Sequence, residues 1–120
     1  MTLYTASYRT VDPHRGVPIQ TSIGAPRFVG YAVLKWEVVM PFGLVDLTDE
    51  AEFRRRYRHR LHSKTPRILR ELEELQAAYD PTPLLLCCWE DLTKPGAWCH
   101  RTHLAAWISE HTGENIPELT

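Results

Sequence analysis

Between positions 87 and 103 the chain reads CCWEDLTKPGAWCHRTH, which gathers all three cysteines, two of the six histidines and an acidic pair into seventeen residues. Sulfur, imidazole, carboxylate and the guanidinium of Arg101 are the groups from which thiol chemistry, metal binding and anion binding are assembled. In an extended segment alternate side chains share a face, so Cys88 and Glu90 point one way and Cys87 the other. Cys88 is therefore the candidate of the adjacent pair. Cys99 stands where a helix is expected to start, yet no Ser, Thr, Asp or Asn occupies the cap, and the first-turn amides need another acceptor. A Cys99 thiolate would meet that need, favoured by the helix dipole and by His100 and Arg101 beside it; so would a bound phosphate, with Arg101 as its ligand. Glu90 is the candidate for proton transfer or for orienting His100.

Two other uses of these residues compete. The cysteines can be small core residues with no chemistry, as buried free cysteine often is. Zinc can instead be held by Cys88, Cys99 and His103, the last two sharing a helix face at i and i+4. The spacing lacks the paired C-x-x-C of a structural zinc site, so zinc is not favoured and no cofactor is assigned.

The frame for these groups follows from periodicity. Leu84 to Trp89 (LLLCCW) is an unbroken apolar run, expected for a strand covered on both faces in the middle of a parallel or mixed sheet. From Cys99 the spacing Leu104, Trp107, Ile108, His111 predicts a final helix, closed by Gly113. Asp49 and Glu52 stand in a capping relation, and Phe53, Tyr57 and Leu61 then recur every four residues, which predicts a helix over about 49–62. Thr65-Pro66 offers an N-cap and a first-turn proline for a second helix that Asp80-Pro81 ends. Residues 2–8 and 17–23 are β-prone and separated by the turn-like DPHRG, and Tyr31 to Val39 is apolar enough for a further short strand. The result is an α/β fold, a small mixed or parallel sheet flanked by helices. Such sheets take ligands beyond the carboxyl ends of their strands, where CCWEDLTKPGAWCHRTH lies.

With 120 residues, 43% of them hydrophobic, the chain can bury one core and reads as a single domain over 1–120. Fourteen basic residues against fifteen acidic give no bulk field for nucleic acid or membrane, so such a partner needs a local patch. MTLYTASYRT has no signal-peptide pattern, and no apolar run approaches about eighteen residues, which predicts a cytoplasmic protein with no membrane partner. Positions 54–70 hold eight of the fourteen Lys and Arg residues. Either this is a solvated helix face paired with Glu71, Glu73 and Glu74, or Arg54, Arg55 and Arg58 bind a phosphate backbone. In SIGAPRF, Pro26 fixes the chain before Arg27, a candidate anion ligand, and Tyr4 and Thr5 end a first strand that reaches the same side.

The elements Cys88-Trp89-Glu90, Cys99-His100-Arg101 and Ala106-Trp107 resemble the C-terminal signature of the DUF488 family. LYTASY, SIGAPRF, EFRRRYRHRL and NIPEL extend the resemblance over most of the chain. The resemblance implies a compact, Rossmann-like single domain inside the cell, and it carries Cys88, Glu90, Cys99, His100 and Arg101 over as site residues; Cys87 and His103 lie outside the pattern. It implies no particular reaction, and a role in nucleotide or nucleic-acid metabolism is analogy. The sequence thus points to a pocket binding a phosphate-bearing ligand, a nucleotide or nucleic acid, with thiol or acid–base catalysis. The rival is a non-catalytic adaptor that binds nucleic acid or protein through the basic helix, its Cys/His cluster structural or metal-binding. Whether the protein is an enzyme, and its oligomeric state, stay open.

Overall fold

Five consecutive apolar residues, Leu84–Cys88, offer no polar face to water, and the structure buries all five. In this computed structural model, which describes residues 2–27 and 29–119, they form β4, flanked in a parallel sheet by β1 (Leu3–Ser7) and β2 (Val17–Gln20). A two-residue strand, β3 (Leu34–Lys35), adds outside β2, giving the order β1-β4-β2-β3 with every pairing parallel. β4 and β2 are the interior strands, and β4 is there as its composition predicts. Tyr31–Val39 forms less strand than its apolarity predicts: after Lys35 the chain turns into a 3-10 turn at Glu37–Val39, which buries Val38 and Val39 in the helix-side core.

Three helices follow from cap and period. α1 (Glu50–Ser63) is capped by Asp49, whose carboxylate accepts from the Glu52 amide, and it buries Phe53, Tyr57 and Leu61. α2 (Thr65–Tyr79) buries Ile68 and Leu72. Its cap is Lys64 rather than Thr65, because the Thr65 hydroxyl donates back to the His62 carbonyl in the preceding helix. α3 (His100–Thr112) ends at Gly113, whose φ of 78° is the left-handed conformation that glycine adopts without strain.

The pleat sorts the core. Leu3, Ile19, Leu84 and Leu86 pack on residues from all three helices, including Tyr57, Leu72 and Trp107. Ala6, Tyr8, Leu85 and Cys87 face the other way, under Val11, Val29, Val33 and Leu119 from loops. The product is a compact α/β body of Rossmann-like kind with its helices gathered on one face. Beyond α3 the chain returns along the free edge of β1: the Thr5 amide donates to the Pro117 carbonyl (3.0 Å), and the Leu119 amide donates to the Thr5 carbonyl (2.7 Å). Phe28 of the SIGAPRF segment lies outside the described residues. Among the described residues no helix is long and apolar enough to cross a membrane.

Candidate sulfur and imidazole site

β4 ends at Cys88 and α3 begins just after Cys99, so the strand end and the helix start carry their sulfurs to one point. The structure joins the two Sγ atoms as a disulfide, across Cα atoms 7.4 Å apart. Cys88 lies on the helix side of the sheet, whereas Cys87 belongs to the loop-covered face, where burial pushes its thiol up to about 12. Cys99 is the N-cap of α3 in extended geometry, and its side chain makes no cap hydrogen bond.

His100 is fixed in one tautomer by its partners. Its Nε2 is 3.0 Å from the Thr21 carbonyl oxygen, which can only accept, so Nε2 carries the proton. Thr21 Oγ1, 2.9 Å away, donates its own hydrogen to the Cys87 carbonyl and can accept from the same Nε2. Nδ1 is thereby left as a bare lone pair 3.6 Å from Cys99 Sγ. Burial outweighs the opposing Thr21 carbonyl and, with smaller repulsion from Arg101 and His103, pushes the ring down to about 4 and keeps it neutral.

Arg101 was expected to reach a ligand anion, but its side chain is 0% exposed and engaged within the protein. Nε and Nη2 donate to the two oxygens of Glu118 at 3.0 and 2.7 Å, and Nη1 donates to Cys88 Sγ at 2.9 Å. Glu118 is in turn held by Thr5 Oγ1 at 2.6 Å. Thr5 therefore serves the site through Glu118, while Tyr4 turns to the opposite face of the sheet. Glu118 and Thr21 carried no sequence signal. Glu118 lies in the NIPEL segment of the resemblance, which names no role for it, and Thr21 lies in the β-prone run 17–23 without a cap or motif of its own.

Glu90 is exposed, its Oε2 3.4 Å from Cys88 Sγ. Together with Cys99, His100, Thr48, Phe53 and Trp98 it lines a cleft of about 380 Å³. A second cleft of about 450 Å³ is lined by Arg101 itself with Ser7, Asp91 and Glu118. His103 is not with the cysteines: it faces α1, its Nε2 3.0 Å from Glu50 Oε2 but off the line of a hydrogen bond, and it packs near Phe53 and Trp98. The Cys88, Cys99 and His103 set, weighed from sequence and not favoured, does not converge. The donors that do converge are Cys88, Cys99 and His100, with ligand atoms within 4.8 Å of one another.

Arg27 is exposed in the loop after β2 and lines none of the clefts described. On α1, Arg55 and Arg56 pair with Glu52, and Arg58 pairs with Glu110, so much of the basic run is neutralised within the fold; Arg54 is exposed. These contacts define an α/β protein with a buried sulfur–imidazole centre opening on a cleft. Searches against family models, curated proteins and solved structures find no match to this chain.

Proposed function

We propose that this chain is an enzyme that takes a small phosphate-bearing ligand of nucleotide type into the cleft beside Cys99, with Glu90 as its acid–base group. The observation that carries the reading is the meeting of Cys99, His100 and Glu90 on one solvent-open cleft of about 380 Å³. Each part has a use there. Phe53 and Trp98 offer aromatic wall to a planar base, and the first-turn amides of α3, which no side chain caps, offer donors to a phosphate. Glu90, exposed at the rim, can exchange a proton with ligand and solvent. The sulfur–imidazole centre lies directly below. A DUF488-type assignment agrees with this choice of residues and adds no substrate.

Ligand binding to reduced, chelator-treated protein tests the reading. A nucleoside monophosphate should raise the melting temperature and slow alkylation of Cys99, and inorganic phosphate or the bare nucleoside should do so less. Val45→Trp, which fills the mouth of the cleft, should abolish both effects, whereas charge reversal at Arg55 and Arg58 should leave them intact. The opposite pattern would transfer the function to the α1 surface and revive the adaptor. No response to any nucleotide would remove the reading.

A further inference from the structure

Two sulfurs and an imidazole nitrogen meet where almost no water reaches: Cys88 is 1% and Cys99 2% exposed. Among the described residues the guanidinium that touches this sulfur pair, that of Arg101, already answers the carboxylate of Glu118. The backbone spacing also bears on what joins the sulfurs. Disulfides span Cα separations of about 4.4–6.8 Å, and Cys88 and Cys99 stand at 7.4 Å. Two thiolates on one tetrahedral zinc, with Zn–S near 2.3 Å, sit about 3.8 Å apart and suit a wider backbone spacing.

We propose that, once the Cys88–Cys99 disulfide is reduced, Cys88 Sγ, Cys99 Sγ and His100 Nδ1 bind one zinc-type divalent cation, with the fourth coordination position facing the cleft. Thiolate and imidazole are the donors zinc prefers, and three protein ligands plus an open position is the pattern of catalytic rather than structural sites. The surroundings are arranged as a second shell for such an ion. Thr21 holds Nε2–H and so aims the Nδ1 lone pair at the cluster. Arg101 Nη1 donates to Cys88 Sγ, tempering the charge of that thiolate, and Glu118 and Thr5 hold the guanidinium still. His103, on the other side of α3's first turn, takes no part.

The inference deepens the enzymatic reading and rests on it only for the open position. There the ion binds water, whose proton passes to the Glu90 carboxylate, leaving hydroxide on the ion and a carboxylic acid at the rim; no oxidant or reductant is involved.

The test uses the full chain without an affinity tag, reduced and stripped with chelator. Titration with Co²⁺ should show one equivalent bound per chain, with a sulfur-to-cobalt charge-transfer band and tetrahedral d–d bands, all displaced by Zn²⁺. Cys88→Ser and Cys99→Ser should each lose about half the charge-transfer intensity. Thr21→Val should weaken affinity roughly 10–100-fold, and Thr21→Ser should restore it. Should the cysteine variants fail to fold, wild-type protein decides: Zn²⁺ should slow alkylation of Cys88 and Cys99 at least tenfold, reversibly with chelator. Failure of reduced wild-type protein to take up either ion, or unprotected alkylation in excess Zn²⁺, overturns the site. Metal uptake without nucleotide binding would leave the site and remove the enzymatic reading; nucleotide binding without metal uptake would do the reverse.

Discussion

Arg101 is the residue whose surroundings decide most. A buried guanidinium stripped of its carboxylate retains the full cost of desolvation, whereas Glu118, with 28% of its side chain exposed, can be rehydrated when its partner goes. Glu118→Ala should therefore cost about 3 kcal/mol, and Arg101→Met roughly half as much although it removes the larger side chain. Urea denaturation midpoints at neutral pH check the order, and an equal loss in both variants would contradict it. At this scale the sequence spoke clearly about neighbours and not about partners. The alternation that put Cys88 and Glu90 on one side, and the missing cap at Cys99, are local rules that the fold obeys. Thr21 lies 79 positions from His100 and Thr5 lies 113 from Glu118, and no local rule reaches that far.

At the scale of elements, caps and close approaches set the tolerances. Asp49 satisfies the Glu52 amide at the start of α1, so Asp49→Ala should cost about 1 kcal/mol, read as a fall of roughly 4 °C in melting temperature for a chain of this size. Gly16, just before β2, is more demanding. A Cβ there would stand 2.7 Å from the Pro83 carbonyl oxygen and 2.8 Å from Leu85 Cγ, and a backbone atom cannot swing aside. Gly16→Ala should lose about 1–3 kcal/mol through overpacking; a neutral result in thermal unfolding would show that the Pro83 turn yields. The helices and β4 were readable because period, cap and composition agreed. β3 was overread, since the packing of Val38 and Val39 is settled by α1 and α2 and not by the run of apolar letters. Tyr57 illustrates this, its hydroxyl donating to the Val39 carbonyl at 2.5 Å.

For the whole molecule, burial of acids that stay neutral sets the response to base. Burial is the main cause that pushes Tyr8, Tyr31 and the Cys87 thiol up to about 12 each, from ordinary values of 10.0, 10.0 and 9.0. Between those limits the folded chain holds protons that the unfolded chain has released. Their stabilisation is complete below pH 9 and is lost as pH rises towards 12. Unfolding midpoints should be flat from pH 7 to 8.5 and fall steadily above it; a rise over pH 9–11 would show that these groups are not buried together. A thiol raised to about 12 holds almost no thiolate at pH 8, which should leave Cys87 unalkylated in native protein. The α/β class and the two-sided cover of β4 were legible, because composition reports burial. The gathering of the helices on one face was not, because a continuous apolar strand looks the same whether helices or loops lie over it.

The return of the chain along β1 has a consequence for how the molecule comes into being. Among the described residues every strand and helix is complete by Thr112, yet the carboxylate that answers Arg101 arrives only with Glu118. On a ribosome, the strands and helices would be made before the residue that holds Arg101 in place, so the seam along β1 and the anchoring of the sulfur–imidazole centre are completed together.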